Sequence, residues 1–181
     1  MKTLVIIGSH RRNIGMLRKL YKNKKIHITG LIIYEREDEL PGTDKKLSLE
    51  LKKLWRLHFK KRHIAEKKYF NFSMYFINKI INQITIKKKE DFYSKKVGEV
   101  INKAKPDLCF ITGIPILKEK LLKILPKHTI NLHMGLIPYY KGSITMFWPF
   151  YFLEPTMAGT TYHIIDKYVD TGEILHQNRP K

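Results

Sequence analysis

Three side chains of different chemical type fall near one another late in the chain: the amide of Asn131, the imidazole of His133 and the carboxylate of Asp170. Thr129 to Leu132 reads as a strand, and Asn131 and His133 are two apart, so both leave the same face. Of the three groups only an imidazole changes charge near neutral pH, which suits it to general acid–base work. An amide does not titrate, but its N–H can donate to an oxygen that is gaining negative charge. Asp170 stands in Asp-Thr-Gly, a turn between two further short strands. From there it could orient or charge-stabilise His133, or pass a proton through water. No serine or cysteine adjoins the three as a nucleophile, since Ser143 lies past a turn-rich loop. The set suits direct acyl transfer through a tetrahedral intermediate, without a covalent enzyme adduct. Taken alone, Asn-x-His more often marks a core histidine.

The elements that must hold these groups follow from the apolar pattern. Thr3 to Ile7 is a short apolar run closed by Gly8, as expected of a buried parallel strand. A loop from Ser9 to Gly15, a helix from Met16 to Tyr21 and a strand from Ile26 to Tyr34 complete a βαβ opening. That opening predicts an α/β fold, Rossmann-like, with a mostly parallel twisted sheet and helices on both faces. Gly8 and Gly15 do not make a G-x-G-x-x-G fingerprint, so a dinucleotide site is not supported. Glu35 to Asp44 reads as an acidic loop. Leu47 to Phe70 reads as one long helix or two, with Leu47, Leu51, Leu54, Trp55, His58 and Ile64 along a broad stripe. A short strand at Ile84 to Ile86 and a helix from Asp91 to Lys103, with Val97, Val100 and Ile101 inward, come next. Leu108 to Thr112 is a further strand, followed by the apolar loop Gly113 to Leu117 and a helix to Ile124. Open α/β sheets bind ligands at such carboxyl-terminal strand ends.

At 181 residues, with 43% apolar composition, one domain over 1–181 is expected, with a basic helical segment at about 45–82. No apolar run approaches the roughly 18 residues of a membrane span. The amino terminus lacks a secretory h-region and cleavage site, and the lone Cys109 sits in an apolar run. These features predict a reducing, cytoplasmic setting and no membrane partner. The net charge of +19 comes mostly from lysine, 28 of the 35 basic residues. Nucleic-acid readers lean on arginine, so a small phosphorylated substrate is preferred to a nucleic-acid partner. Ten basic residues between Lys45 and Lys68, against only Glu50 and Glu66, form a solvated face or an arm over such a substrate. His58 and His63 are five apart and make a poor metal pair, so no metal is expected. Oligomeric state is left open.

Four motifs occur in order: Asn-Leu-His from Asn131, Leu-Ile-Pro-Tyr-Tyr-Lys-Gly from Leu136, Gly-Thr-Thr-Tyr-His from Gly159, and Asp-Thr-Gly-Glu-Ile-Leu from Asp170. With them the chain resembles the folate-dependent formyltransferases, which include phosphoribosylglycinamide, methionyl-tRNA and sugar-nucleotide enzymes. The resemblance is clear from Asp107 to Leu175 and looser over the first two strands. It implies the formyltransferase fold and 10-formyl-tetrahydrofolate as co-substrate. It implies that Asn131 holds the formyl oxygen, His133 is the acid–base group and Asp170 assists proton transfer. The co-substrate would lie along Gly113, Ile114, Ile116 and Leu117 and the loop with Asp166 and Val169. Tyr139, Lys141, Gly142 and Trp148 would face the amine substrate, with His163 supporting the site.

The chain also departs from the family. Gly113 to Leu117 is one residue shorter than in the purine enzyme and lacks its arginine. Met134-Gly135 stands where Pro-Ser or a similar pair is usual. The aromatic segment Ser143 to Phe152 is nearer the sugar-modifying members, where a flat ring needs an apolar platform. Family domains normally continue past the Asp-Thr-Gly strand by at least one helix, so a truncated chain or a minimal member is expected. The acceptor reads first as the amine of an amino-sugar nucleotide. Glycinamide ribotide or water (a formyl-folate hydrolase) are alternatives, and an RNA-binding scaffold is the non-enzymatic one.

Overall fold

Alternation along buried strands decides this architecture. In the computed structural model, residues 1–35 and 46–179 are described, so the acidic loop expected after Glu35 lies outside the described residues. The strands are β1 (Lys2–Gly8), β2 (His27–Tyr34), β3 (Gln83–Ile86), β4 (Leu108–Thr112), β5 (Thr129–His133), β6 (Thr160–Ile164) and β7 (Ile174–Asn178). They form one sheet in the order β3-β2-β1-β4-β5-β6-β7. The pairings from β3 through β5 are parallel, and β6 and β7 close that side antiparallel. This is the mostly parallel sheet expected.

β1 shows why helices cover both faces. Leu4, Val5, Ile6 and Ile7 are all fully buried, but their side chains alternate. Leu4 and Ile6 pack with Val97, Val100 and Ile101 of α3 (Lys95–Ala104). Val5 and Ile7 pack on the opposite face with Ile14 and Leu17 of α1 (Arg11–Lys22). Cys109 of β4 is buried in the first of these layers, and burial pushes its thiol well up.

Three helices differ from the expectation. α1 begins at Arg11, ahead of Met16, and takes in Gly15. A Cβ at Gly15 would lie 3.0 Å from the Phe70 ring, so close packing outweighs the helix cost of glycine. The helix expected from Asp91 divides into a 3₁₀ turn at Lys89–Tyr93 and α3. Ser94 separates them, extended and capping α3 by accepting from the Val97 N–H.

α2 (Leu49–Tyr69) runs nearly as expected but does not bury its stripe. Leu54 is 60% and Ile64 57% exposed, and none of its residues is buried. Its half-buried side is instead Lys52, Phe59, Arg62, Ala65 and Glu66. The sheet face beneath is already filled by α1, Phe72, Phe76 and Ile80. α2 therefore docks through charge: Arg12 pairs with Glu66, and Arg11 donates to the Phe70 carbonyl at 3.0 Å. Among the described residues no helix is long and apolar enough to cross a membrane.

The two helices should respond differently to truncation. Leu17→Ala, in the core, should cost ~2–5 kcal/mol. Leu57→Ala, on exposed α2, should change stability by less than ~0.5 kcal/mol. Urea denaturation of both variants checks this, and comparable losses would show that α2 is covered in solution.

Candidate active site

The site begins with strand register. β5 pairs antiparallel with β6, which sets Asn131 opposite His163 and His133 opposite Thr161. Asn131, His133 and His163 thereby share one face of the sheet. The loop between β6 and β7 folds back over that face and brings in Asp170. Two features of Asp-Thr-Gly permit the fold-back. Asp170 has φ +51°, a left-handed conformation that aspartate tolerates better than most residues, and Gly172 lies against the Ile164 carbonyl with no room for a Cβ.

Asp170 is the centre of the cluster. Its Oδ2 is 3.4 Å from His133 Nδ1 and its Oδ1 is 3.4 Å from His163 Nε2. Oδ2 also accepts the Gly142 N–H at 2.8 Å. The His133 and Asp170 side chains are only 6% and 10% exposed, so solvent screens these charges weakly. On the far side of His133, Nε2 lies 2.7 Å from the Tyr140 carbonyl oxygen. Both ring nitrogens of His133 thus face acceptors, and only the doubly protonated ring donates to both. His163 Nδ1 donates to the Ile164 carbonyl at 2.9 Å, and the Asn131 amide nitrogen stands 3.1 Å from its Nε2. His163 Nε2 accepts from Asn131 or donates to Asp170 but not both at once, and in either state an Asn131 amide N–H is available to a ligand oxygen.

A second network fixes the loop after β5. Thr161 is fully buried; its hydroxyl donates to the Gly135 carbonyl at 2.7 Å and accepts from the Ile137 N–H and the Gln177 amide. The Thr145 hydroxyl donates to the Met134 carbonyl. A Cβ at Gly135 would come 2.8 Å from His133 Nε2, which accounts for glycine at this departure from the usual pair. Tyr140 is tied down at its other end, where its hydroxyl donates to Glu154 at 2.6 Å.

The remaining expected residues divide. Gly142 gives its N–H to Asp170, while Tyr139 and Lys141 are exposed on the same loop. Trp148 opens α4 (Trp148–Tyr151) and stacks with Phe152, centroids 5.9 Å apart, in an exposed aromatic group with Phe147 and Tyr151. No hydrogen bond or ring contact among the described residues joins Trp148 to His133 or Asp170. Gly113 has φ +65°; Ile114 and Leu117 pack at the core margin and Ile116 is exposed. The N–H groups of Ile114, Ile116 and Leu117 have no partner among the described residues. Asp166 pins its own turn, accepting from the Tyr168 N–H and the Thr171 hydroxyl, and Val169 is exposed beside it.

Sequence reasoning passed over Tyr140, Thr161 and Asn13. Tyr140 acts through a carbonyl, which no residue type announces. Asn13 lay in a stretch read as loop; it is buried against Gly8 and Gly113, its amide nitrogen unpaired among the described residues.

Burial alone would raise the Asp170 carboxyl. The His163 hydrogen bond, the Gly142 N–H and the charges of His133 and His163 outweigh burial and hold it below the usual aspartate range. A value lowered on folding stabilises the protein above the unfolded pKa of ~3.9, and that contribution is lost as pH falls through the lower folded value. A carboxyl-carbon NMR titration should therefore place the Asp170 midpoint below ~3.9. A higher midpoint would show that burial dominates.

Comparison with known proteins now bears on this geometry. Methionyl-tRNA formyltransferase of Desulforamulus reducens is 33% identical over 78 residues, 42% of this chain and 24% of that protein. GDP-perosamine N-formyltransferase of Brucella melitensis is 38% identical over 60 residues, 33% of this chain and 23% of that protein. The matches span a quarter or less of the length of the first curated relatives. Among solved structures, phosphoribosylglycinamide formyltransferase from Anaplasma phagocytophilum has a TM-score of 0.62 at 20% identity, covering 97% of this chain and 69% of that one. That likeness establishes the fold. The family model described as Formyl transferase matches residues 1–181, and the chain belongs to that family.

Proposed function

We propose that this protein transfers a formyl group from 10-formyl-tetrahydrofolate to the primary amine of an amino-sugar nucleotide. The observation that carries the reading is the Asp170 carboxylate between His133 and His163, with a spare Asn131 amide N–H at the same place. The co-substrate supplies an electrophilic formyl carbon. The loop after β4 suits such a ligand, since three of its backbone N–H groups are unpaired among the described residues.

In this reading Asn131 donates to the formyl oxygen as it gains negative charge. As the bond from the amine nitrogen to carbon forms, that nitrogen loses a proton. As the bond from carbon to the folate nitrogen breaks, the folate nitrogen gains one. To hold the proton between these events His133 turns Nε2 from the Tyr140 carbonyl to the substrate, and Asp170 stabilises the imidazolium. His163 keeps Asn131 and Asp170 in place. The exposed rings of Trp148, Tyr151 and Phe152 offer an apolar platform to the acceptor. The Brucella relative, by its name, acts on a nucleotide-linked amino sugar, which supports this acceptor.

The test is tetrahydrofolate release from 10-formyl-tetrahydrofolate, followed by absorbance, with amino-sugar nucleotides, glycinamide ribotide or water alone as acceptor. Turnover with one amino-sugar nucleotide is expected. Turnover with glycinamide ribotide or water alone would replace that acceptor. His133→Ala should lower kcat by ~10²–10⁴-fold. Trp148→Ala should raise KM for the acceptor and leave the donor KM unchanged. Normal kcat in His133→Ala would sink the mechanism.

A further inference from the structure

A cavity lies toward the opposite end of the sheet from His133. The amino-terminal ends of β1 and β2, the end of α3 and the segment before β3 form a half-open hollow of about 630 Å³. Four lysines line it, Lys2, Lys79, Lys103 and Lys105, with His27 and with neither Asp nor Glu. None of the four ammonium groups is paired with a carboxylate among the described residues. The adjacent Asp107 accepts the backbone N–H of Lys2, and Lys79 lies over the Tyr75 ring at 5.8 Å.

The wall behind the lysines is fixed. The Asn82 amide donates both its hydrogens, to the Thr29 carbonyl at 3.0 Å and the Val100 carbonyl at 2.9 Å. The Thr29 hydroxyl is a buried oxygen with no partner among the described residues. Lys105 ends α3 at φ +41°, where glycine or asparagine is the usual choice, and there its side chain joins the cavity wall. The floor is apolar, with Ile26, Ile28 and Ile80 beside the Tyr21 ring.

The carboxyl-terminal end of α3 favours a cation or two. Four lysines around one cavity exceed that need. A compact polyanion would supply the counter-charge that no carboxylate among the described residues gives these lysines. The volume falls within the ~300–1,000 Å³ of small-molecule sites. A half-open cavity of this volume, lined by lysine rather than arginine, fits a small ligand better than a nucleic-acid backbone. The apolar floor fits an organic group carried by the anion. We propose that this cavity is a second ligand site, for a small phosphorylated molecule with a planar or apolar body. The proposal is independent of the formyl-transfer reading.

The test is calorimetric titration of the whole protein with inorganic pyrophosphate and with ADP, alongside amide NMR. Saturable one-to-one binding is expected, tighter for ADP, with shifts at Lys2, His27, Thr29 and Lys103 and none at His133 or Asp170. Lys103→Gln combined with Lys105→Asn should weaken both ligands at least tenfold, because asparagine keeps the left-handed backbone. Lys60→Gln with Lys61→Gln removes the same charge from α2 and should leave affinity unchanged. A melting curve reports whether each variant is folded. Absence of saturation, equal losses in both double variants, or shifts centred on the His133 loop would overturn the proposal. So would displacement of both ligands by polyuridylate with steep salt dependence, which would make the face a polyanion surface.

Discussion

The antiparallel pairing of β5 with β6 is the constraint on which the site depends. It places Asn131 across from His163 and His133 across from Thr161. A slip of one residue would turn each of these side chains to the other face of the sheet. The parallel strands before it provide a rigid neighbour, since Ile111 of β4 pairs with Asn131 and the Thr112 hydroxyl donates to the Leu132 carbonyl. Register is therefore held from both sides of β5. The fully buried Thr161 contributes to that hold through bonds to the loop after β5 and to β7.

Given that register, the cluster around Asp170 is a buried charged network. Such networks are favourable only when nearly every member is satisfied. Here two imidazoles and one backbone N–H serve one carboxylate, and a carbonyl receives the outer nitrogen of each ring. The fixed Tyr140 carbonyl matters as much as the side chains. It makes the orientation of His133 a property of the loop, which Glu154 in turn anchors.

Much of the fold was legible because buried strands write themselves as apolar runs. Thr3 to Ile7 and Leu108 to Thr112 read directly, and the two-residue spacing of Asn131 and His133 gave their common face. What escaped depended on tertiary contacts. The start of α1 turned on Phe70 packing against Gly15. The face of α2 could not be read, because its apolar residues follow helical spacing yet none of them is buried, while an Arg12–Glu66 pair between distant segments sets its orientation. The carbonyl of Tyr140 and the reason for Gly135 lie in backbone geometry, which side-chain identity does not encode. The Asp-Thr-Gly turn was legible as a turn, but the left-handed twist that aims Asp170 was not.

The lack of any buried residue along α2 has a consequence for how the molecule opens. Local opening is least costly where few apolar contacts are lost. α2 is fastened near its carboxyl-terminal end by two arginines of α1, so its local opening can leave both core layers closed. The protein is then not one cooperative unit. Its amide hydrogens should exchange in at least two classes, with those of α2 released from the folded state and those of β1 only when the whole sheet comes apart.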